Sequence, residues 1–219
     1  MAGSDLGMEV QDLGVVGYGE ALEIQGDLVR RRRAGEIPDQ ILVLQHPHVI
    51  TLGSSAREEN ILFGAEERAA RGIELFETGR GGDVTYHGPG QMVGYPVLDL
   101  KPDRQDLHRY IRDLEEVLIR AVGVLGVEGW REDGLTGVWT AGGKVAAIGV
   151  RVSSGWITSH GFALNISTDL SYFRSIVPCG IEDRPVTTLA NELGVAPEWA
   201  VVREAVLTAF QDVFDRVIE

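Results

Sequence analysis

The sequence predicts an α+β fold, a mixed and largely antiparallel sheet with helices packed against it. Three observations carry that expectation. Apolar runs of strand length, punctuated by Gly and Pro, outnumber segments of helical spacing. The section from 135 to 166 reads as a meander of neighbouring strands joined by short turns. Two long amphipathic segments, near 107–125 and 197–214, supply apolar faces to cover such a sheet. Within 219 residues there is no internal repeat, low-complexity tract or linker-like shift in composition, so one domain over 1–219 is expected.

Taken in order, a short strand near residues 9–13 precedes a helix on which Ala21, Leu22, Gln25, Leu28 and Val29 recur at helical spacing. "ILVLQHPHVITLG" (41–53) reads as a buried strand, a Pro-marked turn and a second strand. "AEERAARG" is a short polar helix ended by Gly72. "IELFET" leads as a strand into a glycine-rich loop, and "MVGYPVLDL" leads out of it. Leu107, Tyr110, Ile111, Leu114, Val117, Leu118, Ala121, Val122 and Leu125 form one apolar stripe, with Asp106 placed to cap that helix and Gly126 to end it. "LTGVWT" and "KVAAIGVRV" flank the hairpin connection Ala141-Gly142-Gly143, and "SSG" turns into "WITSHGFALNIS". A terminal helix starts at Pro197, with Val201, Val202, Ala205, Val206, Ala209, Phe210, Val213 and Phe214 on its inner face.

Composition removes several classes. The net charge of −13 argues against sequence-independent nucleic-acid binding. No apolar run approaches a membrane span, and "MAGSDLGMEVQD" is no signal peptide. A single cysteine permits no internal disulfide, which suits a reducing compartment and a cytoplasmic location. The one basic block, Arg30, Arg31, Arg32 and Arg33, reads as a solvated helix end favoured by the macrodipole, or as a dock for an acidic partner.

Common catalytic signatures are absent. "GRGGDVTYHGPG" holds no G-x-G-x-x-G, "GGKV" lacks the first glycine of a phosphate loop, and no G-x-S-x-G elbow occurs. His46 and His48 alternate like two ligands, but no further ligand at convincing spacing joins them, so no metal is expected.

What remains unusual is the loop 79–91, where glycines are interleaved with Arg80, Asp83, Thr85, Tyr86, His87 and Gln91. Such a loop grips a ligand or is a long surface connection. Small residues at Ala146, Ala147, Gly149, Gly161 and Ala163, inside expected strands, leave a narrow apolar slot or pack closely on a helix. Lys144 follows two glycines, and Cys179 sits between Pro178 and Gly180 in a punctuated loop. Alone, each is ordinary. Together, a lysine ammonium would stabilise the thiolate and draw its pKa down from about 8.5, but 35 positions separate them and the residues alone leave their meeting open.

The strings "LQHPHVITLG", "GRGGDVTYHGPGQMVGYPVLDL", "GVW", "KVAAIGVRV", "SHGFALNI" and "IVPCGI", in that order, resemble the octanoyltransferase family of the lipoate–protein ligase B type, from about residue 9 to residue 193. The resemblance implies the α/β catalytic module shared with biotin and lipoate ligases. It implies transfer of an octanoyl or lipoyl group from acyl carrier protein to a lysine of lipoyl domains, those of 2-oxoacid dehydrogenase complexes and the glycine cleavage H protein. No ATP or metal is implied. Cys179 falls on the family's acyl-thioester nucleophile and Lys144 on the lysine that lowers its pKa. Arg80, Gly81, Gly82, Asp83, Val84, Thr85, Tyr86 and His87 fall on the substrate-binding loop. Ala147, Ile148 and Gly149, with Gly161, Phe162 and Ala163, fall on the acyl-binding segments. His87 and His160 are expected to position groups, with secondary proton carriage as the alternative. Two rivals stand beside this reading: an ATP-dependent lipoate or biotin ligase of the same fold, and a non-catalytic module that binds acyl chains or lipoyl domains.

Overall fold

The run Ile41-Leu42-Val43-Leu44 shows why the sheet forms where it does. Successive strand residues point to opposite faces, so Ile41 and Val43 enter one core while Leu42 and Leu44 enter another. A strand buried on both faces needs such a continuous apolar run. The computed structural model describes residues 7–177 and 185–218. In chain order these form β1 (Gly7–Val15), α1 (Tyr18–Arg33), β2 (Asp39–Gln45), β3 (Val49–Leu52), α2 (Ala65–Ala70), β4 (Glu74–Glu77), β5 (Val84–His87) and β6 (Gln91–Val97). There follow α3 (Leu107–Val124), β7 (Trp130–Glu132), β8 (Leu135–Thr140), β9 (Gly143–Val152), β10 (Thr158–Asn165), α4 (Leu189–Leu193), α5 (Trp199–Phe214) and β11 (Val217–Ile218).

The main sheet has the strand order β11-β1-β2-β6-β10-β9-β8-β7. Only β1 runs parallel to its neighbours β2 and β11; the other pairs are antiparallel, as the α+β expectation requires. Helices α3 and α5 cover one face through Leu114, Leu118, Val206 and Phe210, and α1 covers the other through Ala21 and Leu28. The Asp106 carboxylate caps α3, accepting from the amides of His108 and Arg109 at 2.9 and 3.1 Å. Gly126, just past its end, takes the left-handed φ of 88° that a closing residue needs.

Three expectations are corrected. The chain forms a second sheet, β4-β3-β5, because the His46-Pro47-His48 turn carries β3 out of the first sheet and onto a small core of Ile50, Val84, Tyr86 and Ile176. The glycine loop 79–91 contains a strand: β5 pairs antiparallel with β3. Helix α5 starts at Trp199 rather than Pro197, which precedes the cap residue Glu198. Val201 is 53% exposed, since the inner stripe repeats from Val202 and its neighbour lies about 100° around the helix.

The arginine block is mostly spoken for. It does occupy the last turn of α1. Arg30 and Arg31 pair with Asp27 at 2.7 and 3.7 Å, and Arg32 reaches Asp39 at 2.7 Å. Asp39 is buried and also takes Arg216 at 2.9 Å and the amide of Asp99 at 2.9 Å. One carboxylate thus ties the end of α1, the start of β2, the segment after β6 and the tail after α5.

Removing a buried charge from such a cluster leaves its partner uncompensated, at about 3–5 kcal/mol. Asp39→Asn is expected to lower the unfolding free energy from urea denaturation by that amount; an unchanged midpoint would show that the cluster carries no stability.

Candidate functional site

The site begins with missing side chains. In the β9–β10 pairing Ala147 stands opposite Ala163 and Gly149 opposite Gly161. A Cβ on Gly161 would strike the Gly94 carbonyl of β6, and one on Gly149 would lie 3.1 Å from Gly81 O and 3.2 Å from Arg80 Cδ. At Gly149 the sheet has to be bare because the 79–83 loop lies directly on it, and at Gly161 because β6 leaves no room. That loop is stapled down: Gly81 N donates to Val150 O at 2.8 Å, and Ser54 N donates to Arg80 O at 2.9 Å.

Arg80, 7% exposed, fills the space so created. Its Nε donates to Thr51 Oγ1 at 3.2 Å, its Nη2 to Thr51 O at 2.7 Å and Thr51 Oγ1 at 2.9 Å, and its Nη1 to Gly81 O at 3.1 Å. Between loop and sheet lies a cavity of about 430 Å³, within the size range of small-molecule sites.

Lys144 borders this cavity, and also a hollow of about 30 Å³ shared with Gln91, Asn165 and Val186. Its side chain runs across Gly137 of β8, where φ is 124°. A Cβ at Gly137 would come within 2.5 Å of Lys144 Cε and 2.6 Å of Ala146 O. The Gly137 amide donates to the fully buried Glu115 carboxylate at 3.0 Å, and Arg112 and Arg131 hold that carboxylate at 2.6 and 3.2 Å. On its other flank the ammonium lies 5.6 Å from the Trp139 ring centroid. The Lys144 backbone exchanges hydrogen bonds with Pro185 O at 2.9 Å and Thr187 N at 3.1 Å.

Away from Lys144 the cavity turns polar, with Tyr18, His87, Tyr95 and His160 in its wall. The imidazoles here are kept neutral. Burial, then the charge that His46 would carry, pushes His87 down to about 3, and its Nδ1 donates to Gln91 Oε1 at 2.7 Å. Burial holds His46 at about 4; its Nδ1 donates to Val16 O and its Nε2 accepts from the Tyr95 hydroxyl, both at 2.8 Å. Burial, then the Arg80 and Arg151 guanidiniums, takes His160 down to about 4. Groups so shifted stay uncharged at neutral pH and are poor bases there, which suits positioning.

Arg80, Gly81, Gly82, Asp83, Val84, Thr85, His87, Ala147, Ile148, Gly149, Gly161, Phe162 and Ala163 all line the cavity with Lys144. Tyr86 does not. Strand alternation turns it into the small core, where His48 Nδ1 accepts from its hydroxyl at 2.7 Å and Tyr172 stacks at 5.5 Å. The Asp83 carboxylate turns back to Asn60 Nδ2 at 2.6 Å and Val84 N at 2.7 Å. Gly81 N and Val84 N are therefore engaged within the protein and are not spare donors. His46 and His48 serve separate hydrogen bonds. Cys179 lies outside the described residues. Sequence reading missed Tyr18, Tyr95, Gly137 and Glu115, each of which looks like an ordinary helix or strand residue until the chain is folded.

A family model of the lipoyl protein ligase A/B catalytic domain matches residues 17–211. An octanoyltransferase of Rubrobacter xylanophilus is 53% identical over 201 residues, covering 91% of this chain and 90% of its own length. Among solved structures, a bi-partite lipoate protein ligase from Thermoplasma acidophilum covers 97% of this chain and 86% of its own at 16% identity, with a TM-score of 0.69. A biotin protein ligase from Aquifex aeolicus covers 94% of this chain and 69% of its own at 14% identity, with a TM-score of 0.53. At those identities the two structures share the fold.

The neutral histidines predict a pH dependence of stability. Unfolded, they take protons near 6.5; folded, His46, His87 and His160 do so only near 3–4. Between those values the unfolded chain binds more protons, so stability present above pH 6.5 is lost as the pH falls. From pH 7 to pH 5 each such group is expected to cost roughly 2 kcal/mol. Urea midpoints that stay level or rise over that interval would contradict the assignment.

Proposed function

The chain belongs to the lipoyl protein ligase A/B catalytic-domain family, and on that footing we propose that it is an acyltransferase moving an octanoyl (or lipoyl) group from acyl carrier protein to a lysine of lipoyl domains. One catalytic domain spans 1–219 in this reading, working in the cytoplasm without ATP or metal. Its acceptors are lipoyl domains of 2-oxoacid dehydrogenase complexes and the glycine cleavage H protein.

The reaction has two halves. The Cys179 thiolate attacks the carbonyl of the donor thioester; the new C–S bond forms as the bond to pantetheine breaks. The departing pantetheine thiolate takes a proton from the Lys144 ammonium. One thioester replaces another, so this half is near energetic balance. Next the amine of the acceptor lysine attacks the acyl-enzyme, giving up a proton to the now neutral Lys144, and the thiolate of Cys179 is released. Thioester to amide runs downhill. The oxyanion of each tetrahedral intermediate needs N–H donors. Since Gly81 and Val84 spend theirs internally, amides beside Cys179 are the candidates.

The single observation that carries this reading is Lys144 standing at the wall of a cavity floored by small residues. Supporting it, the Lys144 backbone is bonded to Pro185 and Thr187, close after Cys179 in sequence. An alkyl chain laid along Ala147, Gly149, Gly161 and Ala163 gains roughly 0.8 kcal/mol for each buried CH₂, which favours medium chains over short ones. Docking an acidic carrier protein on a chain of net charge −13 calls for a local positive face. Arg30 and Arg31, exposed at the end of α1, are candidates, whereas Arg32 is held by Asp39.

Cys179→Ala is expected to abolish transfer, and Lys144→Ala to slow it by about 10²- to 10⁴-fold, both with the fold intact. Mixing the protein with octanoyl-acyl carrier protein should give an octanoyl mass adduct on Cys179 without ATP. Full activity of the Cys179 variant, or turnover only with ATP, would defeat the proposal, the latter in favour of a ligase.

A further inference from the structure

One buried carboxylate takes no part in the proposed chemistry, yet a single residue separates it from Lys144. Glu115 of α3 is fully buried. Its Oε2 holds Arg112 at 2.6 Å and Arg131 at 3.2 Å, and its Oε1 accepts from the Gly137 amide at 3.0 Å. Both guanidiniums are partly exposed, and Arg131 has a second carboxylate in Glu116 at 2.7 Å. Water and Glu116 can therefore satisfy them without Glu115. A buried ion pair is weak evidence of stabilisation, because desolvation offsets much of the attraction. What the surface cannot replace is the acceptor for the Gly137 amide.

That amide lies where the sheet offers it no regular ladder. The β7–β8 pairing slips between Trp130 and Glu132, and the β8–β9 pairing ends with Val138 opposite Ala146. Gly137 stands at both breaks, with φ at 124°. A buried N–H in such a place needs an acceptor from a side chain, and α3 supplies it. The bare Cα of Gly137 is also the seat of the lysine, since a Cβ there would come within 2.5 Å of Lys144 Cε and 3.2 Å of its Nζ. The carboxylate thus sets where that seat lies.

We infer that Glu115 is a positioning residue for Lys144: its carboxylate fixes the Gly137 backbone, and that backbone fixes the ammonium. The consequence for catalysis rests on the acyl-transfer reading above, in which one nitrogen meets first the leaving thiolate and then the incoming amine. The placement itself rests on the contacts alone.

The chain has two lysines, Lys101 and Lys144, so protein labelled with carbon-13 at lysine Cε gives two NMR signals, which Lys101→Arg assigns. Lys101 is half-exposed beside Asp99, whereas the Lys144 ammonium lies 5.6 Å from the Trp139 ring centroid, and the ring current displaces its signal. Three variants separate the routes. Glu115→Gln keeps an oxygen within reach of Gly137 and loses the charge. Glu115→Asp keeps the charge and draws it back by one C–C bond, about 1.5 Å. Glu115→Met removes the acceptor altogether and serves as the second such protein should the aspartate variant not fold. The Lys144 signal should move toward that of Lys101 in the Asp and Met variants and stay in place in the Gln variant. With it, kcat for octanoyl transfer should fall about ten- to a hundredfold in the first two, at unchanged KM. A purely structural role would lower the urea midpoint and leave the signal where it is. An unmoved signal in a folded Asp or Met variant, or one that moves as far in the Gln variant, overturns the inference. Absence of transfer by wild type refutes the function instead, and the same spectra still decide whether Glu115 holds Lys144.

Discussion

A guanidinium held nine-tenths out of water dictates the geometry around it. Among the described residues, Arg80 is kept in place by Thr51 on β3 and by its neighbouring carbonyl at Gly81. Burying a charge without such partners would cost several kcal/mol. The bonds can form only if β3 leaves the main sheet to meet the loop, and only if Gly149 has no side chain where Arg80 Cδ lies. The second small sheet and the bare Gly149 of β9 are therefore what one buried cation requires, whereas Gly161 of β10 is bare because Gly94 and Pro96 of β6 crowd it.

The same charge shapes its surroundings. With burial, it keeps His87 and His160 in their neutral forms. A string of hydrogen bonds then runs from His87 to Gln91, on to Asn165 at 2.9 Å, and from Asn165 to Thr187 O at 3.1 Å. Thr187 N in turn donates to Lys144 O. The strand β5 that follows the Arg80 loop and the strand β9 that carries Lys144 are thus braced against each other by neutral polar groups. In the proposed chemistry that bracing matters because a proton must pass through one nitrogen twice, in opposite directions.

Much of the framework was legible because it depends on local pattern. The continuous apolar run at 41–44 fixes β2, the Ala141-Gly142-Gly143 connection fixes the β8–β9 hairpin, and Asp106 marks the start of α3. The misreadings have a common cause: short elements whose identity depends on distant partners. Val84 to His87 looks like loop among glycines, and becomes a strand only because β3 is there to pair with it. Likewise in the site, Lys144, the Arg80 loop and the small residues of β9 and β10 stood out by type. Gly137 did not, since its value lies in making room for a lysine seven positions on. Tyr18 reads as the first residue of a helix, and its place in the cavity wall can be recognised only in three dimensions.

The central claim is that the Lys144 ammonium sharpens the chain's one thiol, Cys179. Because there is no other cysteine, the rate of iodoacetamide alkylation reports on that sulfur alone. Measured against pH, the account predicts that wild type stays reactive to distinctly lower pH than Lys144→Ala, whose profile returns toward that of an ordinary thiol near 8.5. Superimposable profiles for the two proteins would contradict it.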